Sequence, residues 1–336
     1  MSDWEERTVL VTGGAGFIGS HLTERLVESG ADVVVADDFS RGRVANIDHL
    51  TSAIDLRPVD LTTAAGCRRA VRGVDDVFHL AASVGGIHYI KREHVDGLTP
   101  SVLMNGHLME ASDEAGVDRF LFASSACVYR QRHDGLNEFG EEQAIPADPH
   151  STYGWAKILG EVACDAYQRD CEMETGAIRI FNCYGPRESL DPADSHVIPS
   201  LCRKVIEEPE GGSVELFGDG SQRRGFIYVT DLVEGTLRAM TVGLAGEAIN
   251  LGNREVVTID ELARRIVAIS GKDLEITHDA SQPTGTDRYC ADTTRMTDRL
   301  DWEPSVSLDE GLRRIYRWAE SELDAPERAT VEASDD

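Results

Sequence analysis

The chain has 336 residues, and its composition is strongly acidic. Sixty aspartates and glutamates outnumber 33 lysines and arginines, which gives a net charge of -27 at pH 7. This charge argues against nucleic acid and anionic membranes as partners, because both are polyanions. No apolar run reaches the length that a membrane-spanning helix needs, and the acidic N-terminus does not resemble a signal peptide. We therefore expect the protein to stay in the cytoplasm.

Only four of the 33 basic residues are lysines. A dense carboxylate surface stays solvated in concentrated salt, where the Debye length falls to about 3 Å at 1 M. The composition therefore favours a halophilic protein, with an ordinary soluble acidic enzyme as the alternative. The seven cysteines are scattered and include no Cys-x-x-Cys pair, so we expect neither a disulfide framework nor a metal site.

The first half of the chain alternates short apolar runs with helical patterns. In chain order, the pattern predicts a strand at residues 8–12, a helix at 17–29, strands at 32–36 and 74–81, a helix at 104–116, a strand at 119–124, a helix at 153–169 and a strand at 177–181. This alternation is typical of βαβ units. It predicts an α/β protein with a Rossmann-type, doubly wound parallel sheet.

The second half is richer in proline and glycine, which predicts long loops around short elements. Residues 206–217 and 270–289 resemble parts of a smaller lobe, whereas residues 231–241 and 248–251 can return to the sheet. The two lobes are therefore expected to be interleaved in sequence. The predicted division is a Rossmann domain at 1–182 that also receives 226–252, a substrate-binding lobe at 183–225 and 253–323, and a disordered acidic tail at 324–336.

A glycine-rich turn follows the first predicted strand and opens the first predicted helix. Its sequence, GGAGFIG at residues 13–19, allows a tight turn and a close approach to a pyrophosphate, which rests on the helix N-terminus. Asp37 and Asp38 end the second strand, where a carboxylate accepts hydrogen bonds from a ribose diol and repels the 2′-phosphate of NADP. These residues predict an NAD site. Asp60 and Leu61 are placed to touch the adenine, although Asp60 could instead cap a helix.

Tyr153 and Lys157 are spaced by four residues, so both emerge on one face of a predicted helix. A nearby ammonium and the nicotinamide charge would lower the pKa of the tyrosine and make it a base toward a sugar hydroxyl. An accidental pair is the alternative, but a lysine is rare in this chain and the pair follows a dinucleotide-binding fold. We therefore predict a catalytic pair.

With these motifs the chain resembles the extended short-chain dehydrogenase/reductase family of nucleotide-sugar epimerases and dehydratases. The resemblance covers nearly the whole chain and rests on the glycine turn, Leu80-Ala81-Ala82, residues 124–129 (SSACVY), Tyr153 with Lys157, residues 182–186 (NCYGP) and residues 218–226 (GDGSQRRGF). It implies a nucleotide-sugar substrate, a homodimer built through two helices per subunit, and Ser125 as the third catalytic residue.

Cys127 and His196 narrow the resemblance further. They look like the carbon-acid pair of the GDP-fucose synthases; the GDP-mannose 3,5-epimerases share the cysteine but have a lysine at the position of His196. A ketone at carbon 4 acidifies the protons on carbons 3 and 5, and a thiolate and an imidazole can exchange them from opposite faces. Each residue alone could instead be an ordinary buried cysteine or loop histidine. Asp37 and Asp38 favour the NAD-retaining cycle of the 3,5-epimerases over consumption of NADPH.

The leading prediction is therefore an NAD-dependent nucleotide-sugar epimerase with 3,5-epimerase character. The alternatives are a UDP-sugar 4-epimerase, a 4,6-dehydratase, an epimerase/reductase similar to the GDP-fucose synthases, and a non-catalytic NAD-binding protein. The predicted catalytic residues are Ser125, Cys127, Tyr153, Lys157 and His196. The predicted cofactor-binding residues are Gly13, Gly16, Phe17, Ile18, Gly19, Asp37, Asp38, Asp60, Leu61, Ala81, Ala82, Tyr153 and Lys157. The predicted substrate-binding residues are Ser83, Gly85, Gly86, His88, Asn182, Arg187, Arg224 and Arg288, with arginines meeting the diphosphate.

Overall fold

The fold is taken from a computed structural model that describes residues 3–83, 94–130, 138–149, 151–281 and 288–324. In the described residues the strands are β1 (Thr8–Thr12), β2 (Asp32–Asp37), β3 (Ile54–Pro58), β4 (Asp76–His79), β5 (Arg119–Ser125), β6 (Glu138–Phe139), β7 (Glu174–Ile180), β8 (Cys183–Tyr184), β9 (Ser213–Phe217), β10 (Arg223–Gly225), β11 (Ile227–Tyr228), β12 (Ala248–Leu251), β13 (Val256–Thr258), β14 (Glu275–Asp279) and β15 (Arg288–Ala291). The helices are α1 (Phe17–Glu28), α2 (Ala64–Ala70), α3 (His94–Ala115), α4 (Thr152–Asp170), α5 (Val197–Glu207), α6 (Val229–Val242), α7 (Ile259–Ser270), α8 (Thr294–Leu300) and α9 (Leu308–Asp324). None of these described helices is both long and apolar enough to cross a bilayer.

A parallel sheet organises the chain in the order β12-β7-β5-β4-β1-β2-β3. The order reverses direction between β1 and β4, and in doubly wound sheets ligands bind at the carboxyl ends of the strands beside such a switch point. The Rossmann-type fold predicted from the sequence is confirmed. The seventh strand, β12, comes from the part of the chain expected to return to the sheet.

Alternate residues of the central strands enter two separate cores. On β5, Phe120 and Phe122 pack with α2 and α3, whereas Leu121 packs on the opposite face with α1 and α6. All three side chains are at least 97% buried, and burying an apolar side chain of this size contributes about 1.5–3 kcal/mol. The two faces hold the sheet rigidly, and the loops at its carboxyl edge are positioned accordingly.

A buried carboxylate closes the opposite, amino edge of the sheet. Asp76 begins β4 and accepts paired hydrogen bonds from Arg7 and Arg119 at 2.6–2.8 Å. Burial alone would raise the pKa of Asp76, but the two guanidinium groups outweigh burial and hold that pKa below its ordinary value. The amino edge of the sheet is therefore held together by these ion pairs, and we look for the ligand-binding site at the carboxyl edge.

A third hydrophobic core lies outside the sheet, among α5, α7 and α9. The short strands β10, β13, β15 and β6 form a separate four-stranded sheet, so strand β6 of the N-terminal half pairs with a strand of the C-terminal half. Most of the predicted acidic tail, residues 325–336, lies outside the described residues.

Helix α3 differs most from the sequence-based expectation. It begins at His94, ten residues before the predicted start at residue 104, and runs through Pro100. A proline inside a helix lacks one N–H donor, which disfavours a helix that passes through it. Ser101 and Met104, within the turn after the proline, are 2% and 8% exposed, so packing against the neighbouring helices outweighs the local penalty.

Candidate active site

The glycine turn lies at the carboxyl end of β1 and needs glycine at defined positions. Gly13 has a φ of +67°, in the region that disfavours side chains. A Cβ on Gly19 would lie 2.1 Å from the carbonyl oxygen of Gly13, so no side chain fits there. Gly16 caps α1 without any side-chain hydrogen bond to the first turn, which leaves the N–H groups of that turn available for a pyrophosphate.

Asp37 and Asp38 occupy different environments at the end of β2. The Asp37 carboxylate is 6% exposed and accepts hydrogen bonds from the backbone N–H groups of Ala15 and Phe39 at 3.0 and 2.9 Å. Burial raises the pKa of Asp37, and those two hydrogen bonds oppose the rise. Asp38 is exposed and accepts from Ser40. Asp37 therefore lies directly against the glycine turn, where its carboxylate can accept hydrogen bonds from the hydroxyls of an adenosine ribose. The free N–H groups of the α1 turn and this acceptor fit NAD.

Asp60 and Leu61 follow β3 at the same edge of the sheet. Asp60 accepts from the N–H and the hydroxyl of Thr62 at 2.8 and 2.6 Å, so it holds the turn before α2. The cap of α2 itself is Thr63, whose side chain accepts from Gly66. Leu61 is 4% exposed. A contact of either residue with adenine stays a prediction.

A buried hydrogen-bond chain joins the cofactor strand to the predicted catalytic helix. The Thr12 hydroxyl accepts from the N–H groups of Leu80 and Ala81, so it donates its own hydrogen to Nδ1 of His79 at 2.8 Å. The His79 Nε2–H group then donates to Asn105 at 3.0 Å.

Asn105 completes this chain by donating to the carbonyl of Ala156, the residue before Lys157, at 3.3 Å. Burial lowers the pKa of His79 to about 3, so the imidazole stays neutral and its tautomer is defined by the chain. The sequence analysis missed both His79 and Asn105, because only the fold brings them together.

Ser125 and Cys127 lie where β5 ends. Ser125 is the last residue of the strand, and its hydroxyl accepts from the backbone N–H of Cys127 at 3.1 Å, within a 3₁₀ turn at Ala126–Val128. Helix α4 packs directly on this turn, because a Cβ on Gly154 would lie 2.3 Å from the carbonyl oxygen of Cys127. Gly154 follows Tyr153, so this close contact sets the distance between Tyr153 and the Cys127 turn.

Tyr153 and Lys157 lie on one face of α4, as their spacing predicts. The Lys157 ammonium is 5.4 Å from the centre of the Tyr153 ring and donates to the carbonyl of Ala123 on β5 at 2.7 Å. Burial lowers the pKa of Lys157 to about 8, although Cys127 and Glu161 oppose this change.

The pKa of Tyr153 moves in the opposite direction from the sequence-based expectation. Burial raises it and a negative charge on Cys127 would raise it further, whereas a hydrogen bond with Ser125 lowers it. The expected lowering is therefore wrong for the groups that the chain itself supplies, because desolvation of the phenolate has the largest effect.

Cys127 lies close to Ser125, Tyr153 and Lys157. Burial raises the pKa of the Cys127 thiol, whereas Ser125 and Lys157 lower it. Tyr289 of β15 is the next neighbour: its hydroxyl donates to the carbonyl of Ala126, and a charge on Cys127 would raise the pKa of Tyr289. Tyr289 links the C-terminal half to the catalytic turn, and no sequence motif had indicated it.

His196 stands on a different element, at the N-terminus of α5. Its Nδ1 atom is 2.6 Å from a carboxylate oxygen of Glu188, a partner that the sequence analysis missed. In the described part of the chain no hydrogen bond or ion pair joins His196 to Cys127. Their placement on opposite faces of a sugar therefore stays a prediction.

The predicted substrate-binding residues are only partly placed. Asn182 follows β7 with a φ of +32° and donates to the carbonyl of Gly225 at 2.9 Å. Arg224 on β10 is half-buried and acts on Tyr289 electrostatically, which places it near the Cys127 turn. Arg187 pairs with Glu24 of α1 at 2.9 Å, and its contact with a substrate stays a prediction.

The structure describes only part of the remaining predicted substrate-binding residues. Ser83 follows the loop after β4 and has a half-buried side chain. Gly85, Gly86 and His88 lie outside the described residues, and the structure describes the backbone of Arg288 in β15 but not its side chain. Their contacts with a substrate stay predictions.

The fold and the site together define a dinucleotide-dependent enzyme with a tyrosine–lysine pair at the switch point of its sheet. A family model described as the NAD dependent epimerase/dehydratase family matches residues 9–252, and the chain belongs to that family. NAD is its cofactor. The GDP-mannose 3,5-epimerase 1 of Oryza sativa subsp. japonica is 32% identical over 326 residues, which cover 95% of this chain and 83% of that protein.

Two solved structures show the same fold. The UDP-glucose 4-epimerase of Thermotoga maritima, solved with UDP-glucose, superimposes with a TM-score of 0.85 at 28% identity and covers 94% of this chain and 100% of its own. The UDP-glucuronic acid 4-epimerase of Bacillus cereus, solved with UDP-glucuronic acid and NAD, has a TM-score of 0.83 at 29% identity and covers 94% and 99%.

We expect the substitution Gly19→Ala to weaken NAD binding. Its methyl group must displace the backbone of the turn, and losing one hydrogen bond to the charged pyrophosphate costs about 1.5–3 kcal/mol, or roughly 10- to 100-fold in Kd. The measurement is the Kd for NAD by calorimetry. The control is Gly106→Ala in α3, where a Cβ meets open space; equal affinities in the two variants would contradict the assignment.

Proposed function

We propose that this enzyme is an NAD-retaining epimerase that inverts carbon 3, carbon 5 or both of a GDP-hexose. The observation that carries the proposal is the position of Cys127: its backbone N–H donates to the Ser125 hydroxyl at 3.1 Å, and its carbonyl packs against Gly154, the residue after Tyr153. In a 4-epimerase or a dehydratase, Cys127 would be a bystander. The similarity to a GDP-mannose 3,5-epimerase over 95% of the chain supports the choice of base and sugar.

In the proposed reaction, Tyr153, Ser125 and Lys157 act at carbon 4, and Cys127 and His196 act at the neighbouring carbons. When bound, NAD supplies the hydride acceptor at carbon 4 and returns the same hydride. Tyr153 takes the proton of the 4-hydroxyl and later gives it back, with Ser125 as the hydrogen-bond partner of the developing carbonyl. The Lys157 ammonium lies 5.4 Å from the centre of the Tyr153 ring, where its charge, together with that of bound NAD, would oppose the burial that raises the pKa of Tyr153.

The ketone at carbon 4 makes the neighbouring carbon protons acidic, and Cys127 and His196 exchange them. A base role requires the thiolate form of Cys127. Burial raises the pKa of this thiol on balance, and Ser125 and Lys157 oppose the rise. Arg224 and Arg288 would meet the diphosphate, because guanidinium groups match phosphate oxygens. We also propose that residues 183–225 and 253–323 form the substrate lobe, which their separate core supports.

The proposal is tested by incubating the enzyme with GDP-mannose in deuterium oxide. We expect deuterium at carbon 3 or 5 of the recovered sugar nucleotide, because a reprotonated enolate takes its hydrogen from solvent. Cys127→Ser should lower the incorporation by roughly 100-fold or more, the usual contribution of a positioned acid–base group. A 4-keto sugar trapped with borodeuteride should still form in this variant.

The matched control is Cys171→Ser, at the end of α4 and away from the Cys127 turn. A parallel incubation with UDP-glucose tests the alternative that the enzyme is a UDP-sugar 4-epimerase. If its 4-epimer forms and no deuterium enters carbon 3 or 5 of either substrate, the enzyme is a 4-epimerase and Cys127 is a bystander.

We further propose that the enzyme is a halophilic, cytoplasmic homodimer. Six apolar side chains on α3 and α4 are 37–72% exposed: Val95, Val102, Leu103, Trp155, Leu159 and Val162. The last three share one face of α4, and an apolar patch of this kind marks an interaction surface. With a net charge of -27 per chain, two copies repel each other in dilute buffer and much less in concentrated salt. The seven cysteines are free thiols, which supports a reducing compartment.

Sedimentation velocity tests the dimer and the salt adaptation together. We expect a dimer at about 1 M KCl, where the Debye length is about 3 Å, and dissociation at about 0.1 M, where it is about 10 Å. Leu159→Glu should give a monomer at both concentrations, since it places a charge in the interface. Val242→Glu, 48% exposed on α6, is the control. A monomeric wild-type protein in high salt contradicts the proposal.

A further inference from the structure

Glu188 and His196 form a carboxylate–imidazole pair that the tyrosine–lysine chemistry leaves unused. The Glu188 side chain is 5% exposed, whereas the His196 side chain keeps 65% of its surface exposed. Their 2.6 Å contact involves Nδ1 of the imidazole, so the opposite nitrogen, Nε2, is the one left for a ligand. A buried anchor with an exposed ring is the arrangement expected of an oriented proton carrier rather than of a surface ion pair.

The Glu188 carboxylate is held on one side. Its Oε1 atom contacts His196 and the backbone N–H of Gly185 faces it, whereas Oε2 is buried and has no hydrogen-bond partner among the described residues. Burial raises the pKa of Glu188, and the contacts with His196 and Gly185 oppose the rise. The thiols of Cys183 and Cys202 lie close enough for its charge to raise their pKa values. The adjacent Arg187 is engaged by Glu24 of α1. In the described residues the Glu188 carboxylate therefore has one cationic partner within reach, which is the imidazole of His196.

The segment that carries His196 is also tied to the cofactor lobe. Asp194 pairs with Arg41, which follows Asp38 in the loop after β2, and Arg187 pairs with α1. The charged groups that face His196 are then Glu188 and Asp194, with Arg41 balancing the second. Both ends of the segment are fixed, so the imidazole is held in position before a substrate arrives.

We propose that Glu188 is a positioning residue: it accepts a hydrogen bond from Nδ1–H of the His196 imidazolium and so presents the opposite Nε2–H as the proton donor to the sugar carbanion. This proposal rests on the proposed function and adds to it the residue that orients His196. The Nε2–H bond breaks as the new carbon–hydrogen bond forms, the proton goes to the carbon, and the imidazole is left neutral. Cys127 is then the group that removes the original proton from the other face.

The sign of the pH dependence follows from the contact. The hydrogen bond to Glu188 raises the pKa of His196, with the charges of Glu188 and Asp194 acting in the same direction and burial opposing them. A donor works only while protonated, so the limb of the pH profile that His196 controls falls as pH rises through that pKa, whereas the limb that the Cys127 thiolate controls rises with pH. Glu188→Gln keeps a hydrogen-bond acceptor but removes the charge, so the loss should move to lower pH.

The test has two readouts on the NAD-loaded enzyme. The first is the NMR titration of His196 in protein labelled with ¹³C and ¹⁵N histidine, assigned among the ten histidines by the loss of its signal in His196→Gln. The second is the pH profile of deuterium incorporation from solvent into GDP-mannose. In Glu188→Gln we expect both midpoints to move to lower pH and the rate at neutral pH to fall on the order of tenfold, part of what a positioned general acid contributes.

The control is Glu207→Gln, which changes a 53% exposed carboxylate on α5 that pairs with Arg203 and should move neither midpoint. An unchanged His196 titration in Glu188→Gln overturns the proposal. A shifted titration with an unshifted pH profile overturns the role of His196 as donor, whereas continued incorporation of deuterium shows that the epimerase function itself stands. If the variant does not fold, the wild-type ¹⁵N spectrum decides, because a neutral imidazole protonated on Nε2 alone contradicts the proposal.

Discussion

A neutral histidine in the centre of the sheet determines how the two halves of the reaction centre face each other. His79 connects Thr12, at the start of the glycine turn, to Asn105 and through it to the backbone beside Lys157. The side-chain polar atoms of Thr12, His79 and Asn105 all have hydrogen-bond partners. A buried polar atom without one would cost about 1–3 kcal/mol. The cofactor strand and the catalytic helix therefore cannot shift independently of each other.

Two further contacts also fix the position of α4. Gly154 places the first turn of α4 against the backbone of Cys127, while the buried pair of Glu161 and Arg179 joins α4 to β7 at 2.7–2.9 Å. Ser124, next to Ser125, also donates to Glu161. The serine, the cysteine, the tyrosine and the lysine are thus held by packing and hydrogen bonds within one rigid edge of the sheet, which is what preorganised acid–base chemistry requires.

Charge explains why so acidic a protein can bind a dinucleotide and a sugar diphosphate. Many of the arginines in the described residues are engaged in ion pairs with the abundant carboxylates, so the positive charge available to a ligand is local. The first turn of α1 supplies N–H donors instead of cations for one pyrophosphate. For the other, the proposed arginines of β10 and β15 lie in the four-stranded sheet beside the Cys127 turn.

The sequence was sufficient for features encoded by local patterns. Apolar runs gave most strands of the main sheet, the glycines gave the turn, and the four-residue spacing placed Tyr153 and Lys157 on one face. The start of α3 was missed because the penalty of Pro100 is local and the burial that overcomes it is not. Glu188 and Tyr289 were missed for the same physical reason: each gains its role from a partner on another element, and no periodicity or spacing encodes that contact.

In the proposed cycle, bound NAD holds a hydride within one turnover and returns it to the same carbon. This is tested with GDP-mannose that carries deuterium on carbon 4, with excess unlabelled NAD in solution. We expect the epimerised product to keep its deuterium on carbon 4 and the dissolved nicotinamide pool to stay unlabelled. Deuterium in the pool, or a reaction that proceeds only with a stoichiometric supply of NADPH, would contradict the proposed cycle.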